Sequence, residues 1–88
     1  MSGEKQKYNI IFSPTAKKQF LNLDRSLQAR IKIGIQKLAQ IPSEGDILKL
    51  KGRNRQYRLR LGNWRVIFMT KDDIIQIIAI LPRGQAYK

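Results

Sequence analysis

The chain has 88 residues, 42% of them hydrophobic, which suits one small folded domain with a single core and is too short for two. Eighteen lysines and arginines against six acidic residues give a formal net charge of +12, which predicts an anionic partner: RNA, DNA, an acidic protein or an anionic membrane surface. Cysteine and histidine are both absent, so a disulfide framework and a thiolate metal site are excluded and a zinc site is not expected.

The first predicted elements are a polar leader, a short strand and a helix. Residues 1–7 are largely polar, and residues 8–12 are mostly apolar and predict a strand. Ser13 followed by Pro14 is typical of a helix start, because serine can cap free amide groups and proline tolerates the first helical position. We expect this first helix to run to about Leu23.

A second helix is predicted after Asp24 or Ser26, either of which can cap it. Its apolar residues recur at intervals of three and four, as on one face of a helix: Leu27, Ile31, Ile35, Leu38 and Ile41. Pro42 is expected to end this helix. Gly34 lies on the same face, where close packing of the helix against a sheet would explain a glycine.

A β-hairpin is predicted in the second half of the chain, after an extended segment at residues 47–52. Residues 56–61 alternate strictly between polar or charged and apolar side chains, and residues 64–69 form a second strand. Gly62 and Asn63 between them form a two-residue turn. Such a turn places Leu61 opposite Trp64 and makes both side chains, with that of Tyr57, part of the core face.

The last predicted strand is the isoleucine-rich segment 74–81, which is typical of a central strand, and residues 83–88 form a polar tail with an expected functional role. The order strand, helix, helix and three strands predicts a single α+β domain over residues 1–88. In it, a short N-terminal strand precedes a two-helix pair packed on one face of a curved antiparallel sheet of three to four strands.

Seven basic residues and no acidic one occupy the stretch from residue 49 to residue 65: Lys49, Lys51, Arg53, Arg55, Arg58, Arg60 and Arg65. The predicted turn places Arg60 directly across from Arg65 on one face of the hairpin. Like charges opposite each other destabilise a sheet. We therefore expect this face to serve a function, and phosphate binding is the function that arginine suits best.

Proton transfer is harder to assign, because histidine is absent. The six acidic residues fall in predicted caps, turns and the leader, with no pair facing the arginines, so a two-carboxylate or two-metal mechanism is not expected. Arginine is a poor general base. Lys49, Lys51 or Tyr87 could move a proton if neighbouring cations lowered its pKa.

Several of these segments together resemble the RelE/ParE toxin superfamily of toxin–antitoxin modules. The resemblance rests on the Leu50-Lys51-Gly52 segment, the hairpin 57–68, and Arg83 followed by Tyr87 and Lys88, and it extends over the helical pair with its Ser13-Pro14 opening. It implies a compact RelE-like, microbial-RNase-like fold. RelE-type members of this superfamily cut mRNA in the ribosomal A site by attack of the 2′-hydroxyl, without a cofactor or metal, and are neutralised by an antitoxin.

The resemblance also implies roles for individual residues. The basic triplet of such endoribonucleases matches Arg58, Arg60 and Arg65, although the best-known members carry lysine at the first two positions. Arg83 matches a C-terminal catalytic arginine, and Tyr87 matches a tyrosine that stacks on or orients the substrate base. The remaining basic residues near the hairpin are expected to contact RNA or the ribosome electrostatically: Lys49, Lys51, Arg53 and Arg55.

Two other functions remain open at this level. ParE-type members share the fold, act on DNA gyrase and generally lack the full arginine and tyrosine set; a non-toxic nucleic-acid-binding corepressor would fit the charge. In each case the implied partner is a cognate, RelB-like antitoxin with an acidic or amphipathic segment, through which the complex would bind operator DNA. With no segment suited to a signal peptide or a membrane span, the expected location is cytoplasmic.

Overall fold

The computed structural model describes residues 7–40, 43–52 and 55–84, and every structural statement below concerns these residues. Two helices follow the first strand, and four further strands follow the helices. In chain order the elements are β1 (Asn9–Phe12), α1 (Pro14–Leu21), α2 (Arg25–Leu38), β2 (Asp46–Lys49), β3 (Gln56–Leu61), β4 (Trp64–Lys71) and β5 (Ile74–Pro82).

All five strands form one sheet in the order β1-β5-β4-β3-β2. The α+β class and the helical pair on one face of the sheet are confirmed, but the sheet differs from the predicted three to four antiparallel strands. It has five strands and is mixed, because β1 runs parallel to β5 while the other pairs are antiparallel. Parallel partners need a long crossover, and here the connection includes both helices, so local sequence could not reveal this pairing.

Both helices begin at the caps that the sequence offers. The hydroxyl oxygen of Ser13 accepts a hydrogen bond from the Ala16 N–H at 3.0 Å, and the Asp24 carboxylate accepts one from the Leu27 N–H at 2.8 Å. Of the two candidate caps for α2, Asp24 is therefore the one used. The helices end at Leu21 and Leu38, earlier than predicted; Ile41 and Pro42 lie outside the described residues.

The core lies between the helices and one face of the sheet. It is built from ten buried residues: Ala16, Ile31, Ile35, Leu38, Leu59, Val66, Phe68, Ile75, Ile77 and Ile80. Tyr57 and Trp64 pack against this cluster, as predicted. No helix of the described residues is both long enough and apolar enough to cross a membrane.

Helix α1 is fastened to β5 at an irregularity in the sheet. The register between β4 and β5 shifts so that Ile67 faces Ala79 while Phe68 faces Ile77. The backbone groups beside this bulge bond to a side chain of α1 and to the cap of that helix: the hydroxyl of the cap residue Ser13 donates to the Ile78 carbonyl at 2.9 Å, and the Gln19 amide oxygen accepts from the Ile80 N–H at 2.7 Å. These bonds fix the part of β5 that leads to Arg83.

Helix α2 approaches the end of β3 closely because Gly34 has no side chain. A Cβ placed on Gly34 would lie 2.6 and 2.7 Å from the two δ carbons of Leu61, closer than carbon atoms tolerate. The predicted reason for this glycine, close packing of the helix on the sheet, is confirmed. It also brings α2 next to the turn that follows Leu61.

Candidate active site

The hairpin of β3 and β4 has the predicted register. Arg60 pairs with Arg65 and Leu61 pairs with Trp64, leaving Gly62 and Asn63 as a two-residue turn. Gly62 has a positive φ of 60°, and glycine at the first turn position is typical of a type II′ hairpin turn. The turn therefore determines which side chains share a face.

Arg58, Arg60 and Arg65 lie on the face of the sheet away from the helices. Directly paired residues of antiparallel strands project to the same side, and Leu59, which alternates with Arg58 and Arg60, is buried in the core below the helices. We call this outward side the arginine face. The sequence alternation predicts the same arrangement.

Asp46 also lies on the arginine face, and this was not predicted. It is the first residue of β2 and pairs with Arg60. Its carboxylate lies 3.3 Å from Arg58 Nη2 and 3.7 Å from Arg60 Nε. The sequence predicts the acidic residues in caps, turns and the leader, because no local pattern shows which strand β2 joins. The site therefore contains a carboxylate as well as guanidinium groups.

Arg65 is held at the turn of the hairpin. Its Nη1 donates to the Gly62 and Trp64 carbonyl oxygens, both at 3.1 Å. Burial lowers the pKa of the Arg65 guanidinium below its usual value. The charges of three neighbouring arginines lower this pKa further, in the decreasing order Arg60, Arg58 and Arg83, whereas the charge of Asp46 raises it. Arg65 is thus surrounded by cations, which favours the binding of an anion beside it.

Arg83 joins this cluster from the end of β5. Its backbone N–H donates to the Asn63 carbonyl at 2.7 Å, which ties the residue to the hairpin turn. The residue is exposed to solvent. Arg83, which is distant in sequence, therefore lies close to the three arginines of the hairpin.

The other predicted site residues are placed differently. Lys49 pairs with Tyr57, so it lies on the helix side of the sheet, opposite the arginine face. Lys51 is exposed in the turn after β2, and Arg55 is exposed with a positive φ of 61°. Arg53 and Tyr87 lie outside the described residues. Of the predicted RNA-binding lysines, neither belongs to the arginine cluster.

The floor below Arg58 is apolar. Arg58 pairs with Ile67, which is fully buried although it points away from the main core. The Arg58 side chain is only 18% exposed, and its Nε is buried without a hydrogen-bond partner among the described residues, as is the Gln56 side-chain oxygen. A buried donor without a partner costs about 1–3 kcal/mol, so an acceptor atom reaching Arg58 Nε would be bound favourably.

The side chains of the arginine face decide which chemistry this site can support. Within residues 7–40, 43–52 and 55–84, no three acidic side chains come together in a way that could hold a metal ion. What the described residues themselves offer is anion binding by guanidinium groups and proton acceptance by the Asp46 carboxylate.

Known proteins are similar to this chain over nearly its whole length. Residues 10–87 match the family model described as the ParE toxin of the type II toxin–antitoxin system. The curated protein Toxin RelE3 of Methanocaldococcus jannaschii is 29% identical over 82 residues, covering 89% of this chain and 93% of that protein.

Solved structures agree with these matches. The RelE–RelB complex of Pyrococcus horikoshii has a TM-score of 0.74 at 29% identity, covering 90% of this chain and 98% of the other. The isolated Escherichia coli RelE toxin has a TM-score of 0.76 at 18% identity, covering 90% and 87%, which shows the shared fold alone. The chain accordingly belongs to the ParE toxin family of type II toxin–antitoxin systems, within the RelE/ParE toxin superfamily that its hairpin motif resembles.

Proposed function

We propose that this toxin is a metal-independent endoribonuclease of the RelE type, which cleaves mRNA on the ribosome through attack of a 2′-hydroxyl on the adjacent phosphodiester. The observation that supports this most is the convergence of Arg58, Arg60, Arg65 and Arg83 on one face beside the Asp46 carboxylate. Attack on phosphorus concentrates negative charge on the phosphate oxygens. Preorganised cations around that position stabilise the transition state.

Arg65 is the residue most directly suited to hold the reacting phosphate. It is oriented by two carbonyl oxygens at the hairpin turn and surrounded by three other arginines. An arginine stays protonated at neutral pH even when its pKa is lowered, so it acts as a cation and not as a base. Arg83 beside the same turn provides a second fork of donors for the phosphate oxygens.

Asp46 is the proposed proton acceptor. Among the described residues it is the carboxylate that contacts the arginine cluster, whereas Lys49 points to the opposite face of the sheet. In this mechanism Asp46 takes the proton of the 2′-hydroxyl, and the 2′ oxygen attacks phosphorus while the bond to the 5′ oxygen of the next nucleotide breaks. The leaving 5′ oxygen takes a proton from a solvent water, and Asp46 returns its proton to solvent. The products are a 2′,3′-cyclic phosphate and a free 5′-hydroxyl.

The remaining roles follow the family resemblance. Tyr87 is proposed to stack on a substrate base, since aromatic side chains stack on unpaired bases in RNA-binding sites. Lys51, Arg53 and Arg55 are proposed to contact RNA or ribosomal RNA through charge. Because the described part of the site has few groups able to transfer protons, alignment of the mRNA by the ribosome would supply a large part of the rate.

Primer-extension mapping of a defined mRNA in a translating extract tests this function. The wild-type toxin should produce cuts confined to ribosome-engaged codons, and Arg65→Ala should abolish them. Lys18→Ala, which removes an exposed charge from α1, is the matched control and should cut like the wild type. An intact message with folded wild-type toxin would overturn the proposal.

Inhibition of DNA gyrase is the second candidate, because the matching family model carries the ParE name. The full arginine set favours RNA cleavage over this alternative. A supercoiling assay separates the two functions. Inhibition of supercoiling that survives Arg65→Ala, together with an intact message, would establish the gyrase-directed function.

We also propose that a cognate antitoxin neutralises this toxin, as the RelB–RelE complexes of related proteins suggest. A groove of about 950 Å³ between the two helices and β1 is suited to an amphipathic helix with acidic residues. Its apolar lining includes Phe12, Phe20, Leu21 and Ile35, and its cations are Lys17, Arg25 and Lys32. Co-purification with the product of the adjacent reading frame tests this, and Leu21→Asp should weaken it. Unchanged capture of that product by the variant would exclude the groove as the antitoxin-binding site.

A further inference from the structure

Arg30 of α2 lies against the hairpin turn, far in sequence from the arginine cluster. A Cβ placed on Gly62 would lie 3.1 Å from Arg30 Nη2, so the guanidinium covers this glycine. The approach depends on the close packing of α2 on the sheet, where Gly34 meets Leu61. Arg30 therefore reaches the turn because of the fold, and it was not part of the hairpin motif.

Three arginines from separate parts of the chain contact the Gly62-Asn63 turn. Arg65 of β4 donates to the Gly62 carbonyl, the backbone of Arg83 after β5 donates to the Asn63 carbonyl, and Arg30 of α2 covers Gly62. Arg30 extends from α2, on the helix side of the sheet, whereas Arg65 lies on the arginine face, so the two residues reach the turn from opposite sides.

The arginines on the arginine face and at the hairpin turn differ in whether they have an ion pair. Arg58 and Arg60 share the carboxylate of Asp46. Arg30, Arg65 and Arg83 have no ion pair with any acidic residue in the part of the chain that the structure describes. Exposed guanidinium groups without carboxylate partners are available to bind an external anion.

We propose that Arg30 binds a backbone phosphate of the RNA next to the phosphate held by Arg65 and Arg83, so that the strand crosses the Gly62-Asn63 turn. This inference rests on the proposed RNA substrate and extends it by one binding position. Phosphate contacts of this kind fix the register of a nucleic acid without reading its bases. Arg30 would thus position the strand and not take part in the cleavage chemistry.

The test measures binding of a short 2′-O-methyl RNA, which lacks the attacking hydroxyl, by fluorescence anisotropy over a range of salt concentrations. Arg30→Ala should bind more weakly and reduce the slope of log K against log salt by about 0.7, the value for one lost phosphate contact on a single strand. Arg30→Lys should restore most of the slope. Lys18→Ala, which removes an exposed charge from the other helix, should leave the slope unchanged.

Equal affinities and slopes for Arg30→Ala and Lys18→Ala would overturn the inference, since Arg30 would then act only through overall charge. Thermal unfolding of each variant shows that the fold is kept. The cleavage assay is independent of this measurement. If wild-type toxin cuts mRNA but Arg30→Ala loses no more RNA affinity than the control, the proposed phosphate contact is wrong and the proposed function stands. If Arg30→Ala loses RNA affinity but the wild-type toxin cuts no mRNA, the phosphate contact stands and the proposed function is wrong.

Discussion

Arg60 and Arg65 lie directly opposite each other across the turn of the β3–β4 hairpin, on the same face of the sheet. Their charges repel, and burial and the other arginines add to the cost of the Arg65 cation. Because the pKa of Arg65 is lowered in the folded protein, the unfolded chain binds this proton more tightly, and the charge opposes folding at neutral pH. This opposition would fade only as the pH rose through the lowered pKa.

The repulsion can be measured with a double-mutant cycle of Arg60→Gln and Arg65→Gln. Each single change removes the same unfavourable contact, so the double variant should be less stable than the sum of the two single effects predicts. The difference should shrink as salt is raised, because exposed charges are screened. Urea unfolding at low and high salt provides the measurement. Additive effects at low salt would show that the two charges do not interact.

Asp46→Asn should affect binding and cleavage in opposite directions. The amide keeps the shape of the side chain but removes its negative charge beside Arg58 and Arg60, so a 2′-O-methyl RNA should bind at least as tightly. Cleavage on the ribosome should fall by about 10²–10⁴-fold, the range typical of a lost general base. Single-turnover cleavage with saturating toxin measures the rate, and an unchanged rate would remove Asp46 from the proposed mechanism.

Gly34→Ala should destabilise the protein although alanine favours helices. The added methyl group collides with Leu61, and overpacking costs about 1–3 kcal/mol against a gain of about 1 kcal/mol in helix propensity. In a Leu61→Ala background the collision is removed, so the same Gly34→Ala change should become stabilising. Chemical denaturation of the four proteins tests this reversal of sign, and a stabilising effect in both backgrounds would contradict it.

Ser13→Ala should cost more stability than Asp24→Ala. Both residues cap a helix, but the Ser13 hydroxyl also donates to the Ile78 carbonyl at the bulge of β5, in a partly buried position. We expect a loss of about 1–3 kcal/mol for Ser13→Ala and about 1 kcal/mol for the exposed Asp24 cap. Equal losses in thermal or urea unfolding would mean that the bond to Ile78 contributes nothing.

The features that could be predicted from sequence depend on short-range interactions. The caps at Ser13 and Asp24 and the apolar face of α2 follow from contacts within a helix. The pairing of Arg60 with Arg65 follows from a two-residue turn, which sets the register of its own strands. The cluster of hairpin arginines could therefore be predicted from local sequence, and the resemblance to RelE/ParE toxins depends on the same residues.

The features that required the structure depend on contacts between distant segments. The parallel pairing of β1 with β5 has no signal in a four-residue strand, and the register of β2, which brings Asp46 to Arg58 and Arg60, is set by the edge it joins. Arg30 reaches the hairpin turn only because α2 packs closely at Gly34. Sequence by itself determined the local elements and the arginine face of this toxin. Tertiary packing decided which carboxylate and which additional arginine stand beside that face, because a strand's partner and a helix's packing position depend on the whole core.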